Sequence, residues 1–269
     1  MDGDAYILEL APAIDALPAA AWDQLAGTAN PFVSHAFLKA LEDGGATGGD
    51  SGWEPMHLVL RDAEGRMVAA MPHYLKHHSY GEYIFDHSWA NAFMRAGGEY
   101  YPKMLSAIPF TPATGPRFLT GDAAPDMAAQ LRSALANGMT QYLDRLGLSS
   151  AHINFLPETD IAALSTAGWM IRSSIQFHWH NDGYDTFDAF LEALSSRKRK
   201  NIRKERRTVA EAGVRLLRLT GDDITAAHID DFYRFYLSTI DRKWGGAYLT
   251  QEVFHHLRDS MADNMLLVM

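Results

Sequence analysis

Eight of the chain's 24 Lys and Arg residues fall between Arg197 and Arg207, inside the run SSRKRKNIRKERR at Ser195–Arg207. Read as a helix, such a run keeps a cationic face open to solvent or to an anion. Ser195 or Ser196 can cap its start, and Gly213 marks its far end. At roughly 100° per residue, Ile202, Glu205, Val209 and Ala212 gather on one side as a docking edge. Arg199, Lys200, Arg203, Lys204, Arg206 and Arg207 fan over the other. Like charges at (i, i+3) and (i, i+4) spacing cost a few tenths of a kcal/mol per pair, so the helix calls for an anionic partner. Eight cations against the single Glu205 leave +7 in this run, and the rest of a chain of net charge -9 therefore sums to -16. Such segregation of sign describes a local electropositive site on an acidic body.

A length of 269 residues fits one large domain or two smaller ones, and 47% hydrophobic with 21% charged residues is the composition of an ordered globular chain. The absence of Cys excludes a disulfide framework, a thiolate nucleophile and a cysteine-ligated zinc, and fits a reducing cytosol. The start, MDGDAYILELAP, lacks a basic segment followed by an apolar run, and no stretch approaches the roughly 20 apolar residues of a membrane span. A cytoplasmic location is expected. The end, Met265–Met269 (MLLVM), reads as a buried strand that stops without turn or polar tail, as in a fragment of a longer chain.

In order, Tyr6–Leu10 alternates like an edge strand, Pro18–Leu25 begins a short helix, and Ser34 caps a second at Ser34–Leu41. Met56–Arg61 and Met67–Tyr74 are alternating runs joined as a β-hairpin by Asp62-Ala63-Glu64-Gly65. Tyr80–Phe85 extends the sheet, Met104–Phe110 is another strand, and Met127–Leu146 has helical periodicity weakened at Asn137-Gly138. Ala151–Leu156 and Trp169–Trp179 read as strands. Helices then follow at Thr186–Leu194 and Ser196–Ala212, a strand at Val214–Leu219, helices at Thr225–Ile240 and Gln251–Asp259, and the final strand. The second half looks like the first beginning again. This is an α/β chain with a mixed sheet, divided into residues 1–165 and residues 166–269, the second part carrying the basic helix and left incomplete.

Familiar catalytic signatures are missing. GGDSGW at Gly48–Trp53 superficially resembles the surroundings of a serine nucleophile, but it lies in a Gly/Asp loop without an all-β context or a positioned His and Asp. There is no G-x-S-x-G, P-loop or G-x-G-x-x-G. The 12 histidines include His178 and His180 on one side of a strand and the pairs His77-His78 and His255-His256. No H-E-x-x-H or nearby ligating carboxylate supports a metal site, and none is expected.

The segment Ser79–Phe110 is richer. It gathers Tyr80, Tyr83, Trp89, Tyr100 and Tyr101 with Glu82, Asp86, Glu99 and Lys103 around Gly97-Gly98, the mixture of rings and isolated charges that lines a small-molecule cleft. Asp86, after YIF, is expected at a strand end, where burial raises a carboxyl toward general-base work.

The strings SYGEYIFDHSWA, YYPKMLSAIPFTPATGPRFL, QFHWHNDGY and LSSRKRKNIRKERR resemble the signature segments of the FemAB-like predicted N-acyltransferases, a peptidoglycan biosynthesis or recognition family. The likeness runs from about Asn30 to the last residue. It implies two tandem GNAT-like domains of the acyl-CoA N-acyltransferase superfamily, the second truncated at the C-terminus. It also implies transfer of an acyl or aminoacyl group, from a CoA thioester or an aminoacyl-tRNA, to an amine of a small molecule, peptide or cell-wall precursor. Carried onto matching positions, Asp86 becomes the base and Tyr101 the acid for the leaving group, with Tyr83, Trp89, Lys103 and Arg117 holding the substrate. Arg197, Lys198, Arg199, Arg203 and Lys204 become the phosphate platform. Phe110–Gly121 (FTPATGPRFLTG) replaces the R-x-x-G-x-G/A loop of GNAT enzymes and puts Pro where N–H donors are wanted, so that loop is not expected to bind a CoA pyrophosphate. Two other classes fit the same features: a noncatalytic module that recognises a muropeptide or other anionic ligand, and a nucleic-acid-binding module built on the basic helix.

Overall fold

Apolar alternation makes Ile7–Ala11 a strand (β1), and helices Ala19–Ala26 (α1) and His35–Asp43 (α2) follow it in the computed structural model, which describes residues 6–242 and 245–269. The cap read at Ser34 forms, its side chain accepting the Phe37 amide at 3.2 Å. Strands Trp53–Pro55 (β2), His57–Arg61 (β3), Met67–Met71 (β4) and Tyr74–Lys76 (β5) come next. Helix His87–Arg95 (α3), strand Lys103–Ser106 (β6), helix Pro125–Leu146 (α4), strand Ala151–Ile153 (β7) and helix Glu158–Thr166 (α5) complete this part of the chain.

The strands form two sheets, β1-β3-β4 and β2-β5-β6-β7. All pairs are antiparallel except β6 and β7, which run parallel with α4 as the crossover between them. The result is a mixed α/β fold. β3 is buried on both faces because its neighbours differ on each side. Val59 faces a core with Trp22, Leu38, Leu41 and Ala70, whereas Leu58 and Leu60 face Met71, Met104, Leu131, Leu135 and Met139. That second core holds α4 continuous through Asn137-Gly138, outweighing the roughly 1 kcal/mol that Gly costs a helix.

Later in the chain come helices Phe187–Ala193 (α6) and Ser196–Glu211 (α7), strand Arg218–Leu219 (β8), helices Ala226–Ile240 (α8) and Gln251–Met261 (α9), and strand Leu267–Val268 (β9). The chain groups into two compact units, Met1–Ile171 with Thr220–Met265, and Arg172–Leu219 with Leu266–Met269. The expected division into 1–165 and 166–269 does not coincide with them. α9 buries Val253 and Met261 in the core that holds Leu38 and Leu41 of α2, and this packing draws 220–265 into the first unit.

Two expected strands do not form. Tyr80–Phe85 is a loop, turned by Gly81 at φ +79° and by Tyr83 at φ +56°, both outside the extended region. Trp169–Trp179 has no regular structure, and its Ile175, Phe177 and Trp179 are exposed. In the second unit β8 and β9 pair antiparallel over two residues each, shorter than the sequence predicts. α7 follows its expected span, with Gly213 at φ +72° just past its end, but the docking edge is only partly covered: Ile202 is half-buried and Val209 is exposed.

Candidate active site

The pairing of β5 with β6 sets Lys76 opposite Lys103, so two lysines lie side by side on one face of the sheet. Both are fully buried. Lysine is almost never buried without a partner, and the segment after β5 supplies carboxylates. Lys103 Nζ donates to Glu82 Oε2 at 2.9 Å, to Asp86 Oδ2 at 2.5 Å and to Ser79 Oγ at 3.0 Å. Its three protons are thereby spent. The Tyr100 hydroxyl donates to Asp86 Oδ2 at 2.7 Å, and the Tyr101 hydroxyl shares a 2.7 Å hydrogen bond with Ser79 Oγ.

Lys76 is held differently. Its Nζ lies 3.8 Å from the centroid of the Trp53 ring and donates to the Tyr80 carbonyl at 3.4 Å, with no carboxylate bound to it among the described residues. The same carbonyl accepts the Trp53 indole N–H at 3.2 Å. The loop lies flush on this wall because residue 81 is Gly: a Cβ there would sit 2.6 Å from the Phe110 ring and 3.2 Å from Trp53 Nε1, and the φ of +79° disfavours any side chain. Phe110 in turn stacks on Tyr248, which touches Tyr83 edge-on, so aromatic rings rim the cluster.

Proton affinities divide inside this cluster. Burial alone would raise Asp86, but hydrogen bonds from Lys103, Ser79 and Tyr100 and the Lys103 charge hold it down at about 2. Glu82 moves the other way, raised by burial against the pull of Lys103. Burial lowers Lys76 to about 7, with Glu82 pulling it up and Lys103 pushing it further down. Burial and the neighbouring Asp86 push the Tyr100 phenol above its ordinary value.

Several sequence expectations change here. Asp86 is not at a strand end but at the N-cap of α3, and its side chain makes no capping bond because Lys103 and Tyr100 occupy it. An ionised carboxylate so tied is a poor proton acceptor, contrary to the expected rise. Lys103 is buried among side chains and anchors carboxylates of the protein itself. Arg117 is buried too, its guanidinium donating to the Ala113, Gly115 and Pro116 carbonyls; burial lowers it to about 10, and it fastens its own loop instead of facing a ligand. Tyr83 and Trp89 are exposed, and Tyr101 is half-buried.

Arg197, Lys198, Arg199, Arg203 and Lys204 lie together on α7 in the second unit. There Arg203 meets Asp188 at 3.4 Å, Arg206 lies over the Phe187 ring at 4.3 Å and Arg207 reaches Glu211 at 3.7 Å. The other four of the five expected phosphate ligands have no carboxylate partner among the described residues.

Lys76 was missed by sequence reasoning, although Tyr74 and Lys76 share the inward phase of one strand and both are fully buried. An open groove of about 690 Å³, lined by residues such as Leu25, Arg61, Arg66 and Gly121, shares no residue with the cluster. Among the described residues no helix is long and apolar enough to cross a membrane, and no three His, Asp or Glu side chains group as a metal site.

A family model, FemAB-like, described as peptidoglycan biosynthesis/recognition, matches residues 13–269. No curated protein matches the chain.

Proposed function

Because the chain belongs to the FemAB-like family, with nearly its whole length matched, we propose that it is an N-acyltransferase that moves an acyl or aminoacyl group onto an amine of a peptidoglycan precursor. The observation that carries this reading is the cluster of Lys76, Lys103, Glu82 and Asp86, buried at the sheet under an aromatic segment. Buried charge of this kind costs stability and concentrates where chemistry is done. The reaction needs the amine and the acyl carbon aligned, the amine's proton removed and the developing oxyanion stabilised. Tyr101, half-buried beside Ser79, is our choice of acid for the leaving group, and Tyr83 and Trp89, exposed at the rim, our choice for holding the acceptor. The cationic α7 suits the phosphates of the donor, a CoA thioester or an aminoacyl-tRNA, as it would those of any nucleic acid. We read the first unit as GNAT-like, supported by the β6–α4–β7 parallel crossover, and Arg172–Leu219 as the start of a second such domain, in a cytoplasmic protein.

The burial of both lysines favours one alternative, recognition of a muropeptide on the outer aromatic surface without chemistry. The two readings separate in one assay. The protein is incubated with a muramyl pentapeptide bearing a free amine and with donors, acyl-CoA or aminoacyl-tRNA, carrying a labelled acyl group. Label in an amide of the muropeptide supports transfer, whereas bound muropeptide with no labelled product supports recognition.

A further inference from the structure

We propose that Lys76 is the proton acceptor of this site, taking the proton of the acceptor's ammonium group before that nitrogen attacks the acyl carbon. The inference rests on the transfer reading above and adds to it the residue that performs the proton step.

Three groups compete for the role, and their contacts decide among them. Asp86 spends one oxygen on Lys103 and Tyr100. Glu82 spends Oε2 on Lys103 while its Oε1, like Oδ1 of Asp86, has no hydrogen-bond partner among the described residues; neither carboxylate can take a proton without weakening its ion pair to Lys103. Lys76, by contrast, has no carboxylate within ion-pair distance among the described residues: a ring face at 3.8 Å and a single carbonyl at 3.4 Å are its direct contacts, and Glu82 and Asp86 act on it only from further off. The charged groups facing it are Lys103 from β6, Glu82 and Asp86 from the loop, and His78 at the start of the same loop. Two cations compete for two carboxylates, and Lys103 holds both. A lysine without a directly bound carboxylate and desolvated beside another cation gives up its proton near neutral pH, which agrees with the shift at this residue to about 7. That is the affinity a general base needs at its working pH.

Access depends on the segment that covers the amine. The cover over Lys76 Nζ is the Tyr80 carbonyl, on a segment whose side chains Tyr80, Tyr83 and Phe85 are exposed and whose Tyr83 stands at φ +56°, a conformation unfavourable for a non-glycine residue. Proton transfer requires that displacement of Tyr80 uncover the amine, which is fully buried here. The step then balances without any redox partner. The acceptor R–NH3+ gives one proton to Lys76, the free R–NH2 forms the C–N bond as the acyl C–S or C–O bond breaks, and the second nitrogen proton leaves on the departing thiol or hydroxyl. Lys76 returns its proton to solvent.

The test uses the full chain labelled with 13C-lysine, with the resonance absent from Lys76→Arg assigned to Lys76. Its titration midpoint is expected near neutral pH and lower still in Glu82→Gln, which removes an attracting charge; a midpoint near the ordinary lysine value of about 10.4 overturns the proposal. The transfer assay with the muramyl pentapeptide supplies the second arm. Lys76→Met and Lys76→Arg are both expected to lower kcat by about a hundredfold or more with KM little changed, because Arg keeps the cation but cannot release its proton. Wild-type turnover retained in Lys76→Arg leaves the transferase reading standing and makes Lys76 structural. No product from the wild-type protein removes the transferase reading, and this proposal with it.

Discussion

One ammonium group, that of Lys103, satisfies three buried acceptors, and the stability of the site follows from that asymmetry. Lys103→Met leaves Glu82 and Asp86 buried without the cation that binds them, a change that costs about 3–5 kcal/mol; urea unfolding at neutral pH measures it. Lys76→Met removes an amine that no carboxylate among the described residues binds, so its midpoint is expected at or above that of the wild type. Equal losses in the two variants would make the lysines equivalent and contradict the division of contacts described above. Asp86 adds a pH signature. Held at about 2 against an ordinary 3.8, it stabilises the fold above the ordinary value, and that stabilisation is lost as pH falls through this window; the acid limb is expected to weaken in Asp86→Asn. At this scale the sequence was legible as composition and not as geometry. The wealth of rings and charges in Ser79–Phe110 is visible in the letters, and Asp86, Tyr101 and Lys103 do converge there with Ser79. What the letters lack is direction: Asp86 gains a cation that lowers its proton affinity, Arg117 turns back on its own loop, and Lys76 looks like any surface lysine until the β5–β6 register buries it.

Elements tied to caps and helical periodicity are the ones the sequence discloses. α2, α8 and α9 begin one residue after the side chains of Ser34, Thr225 and Thr250 accept amide hydrogens, and α7 spans the basic run. Strands fare worse because their length depends on partners far away in sequence. Tyr80–Phe85 has a strand's composition, yet it carries Gly81 and the left-handed Tyr83, and its one carboxylate, Glu82, is pulled inward to Lys103. The return of α9 to α2 was likewise hidden, since the junction that anchors its start joins residues far apart in sequence. Gly44 ends α2 with its carbonyl accepting the Thr250 hydroxyl at 2.6 Å, and a Cβ at that position would lie 2.5 Å from Val253 Cγ2 and 2.7 Å from the Val253 backbone nitrogen. Backbone cannot step aside as a side-chain tip can. Gly44→Ala is therefore expected to destabilise the first unit by about 1–3 kcal/mol, with hydrogen exchange accelerated in Gln251–Met261; unchanged protection there would mean that α9 is not anchored through this junction.

Across the whole chain, charge is segregated more sharply than structure is. The run that ends at Arg207 carries +7 while everything else sums to -16 in a molecule of net charge -9, and α7 buries none of its residues. A helix that neither packs in a core nor pairs most of its cations internally gains little for the fold from holding eight of them, so their use lies in a ligand. The extent of the run indicates what kind. From Arg197 to Arg207 a helix advances about 15 Å, longer than one pyrophosphate occupies and suited to several phosphates in succession. Binding of a labelled RNA hairpin, measured as log K against log salt, is expected to fall steeply, with each cation that meets a phosphate contributing about 0.7 to 0.9 to the slope. Replacing Arg197, Lys200 and Lys204 together with Gln should flatten the slope by about 2 to 3 while leaving the unfolding midpoint unchanged, because none of the three is buried or ion-paired among the described residues. A slope near zero in the wild-type chain would remove polyphosphate recognition from α7. A slope set by one or two charges would instead fit a donor no larger than a coenzyme, and would move the preference from tRNA to a CoA thioester.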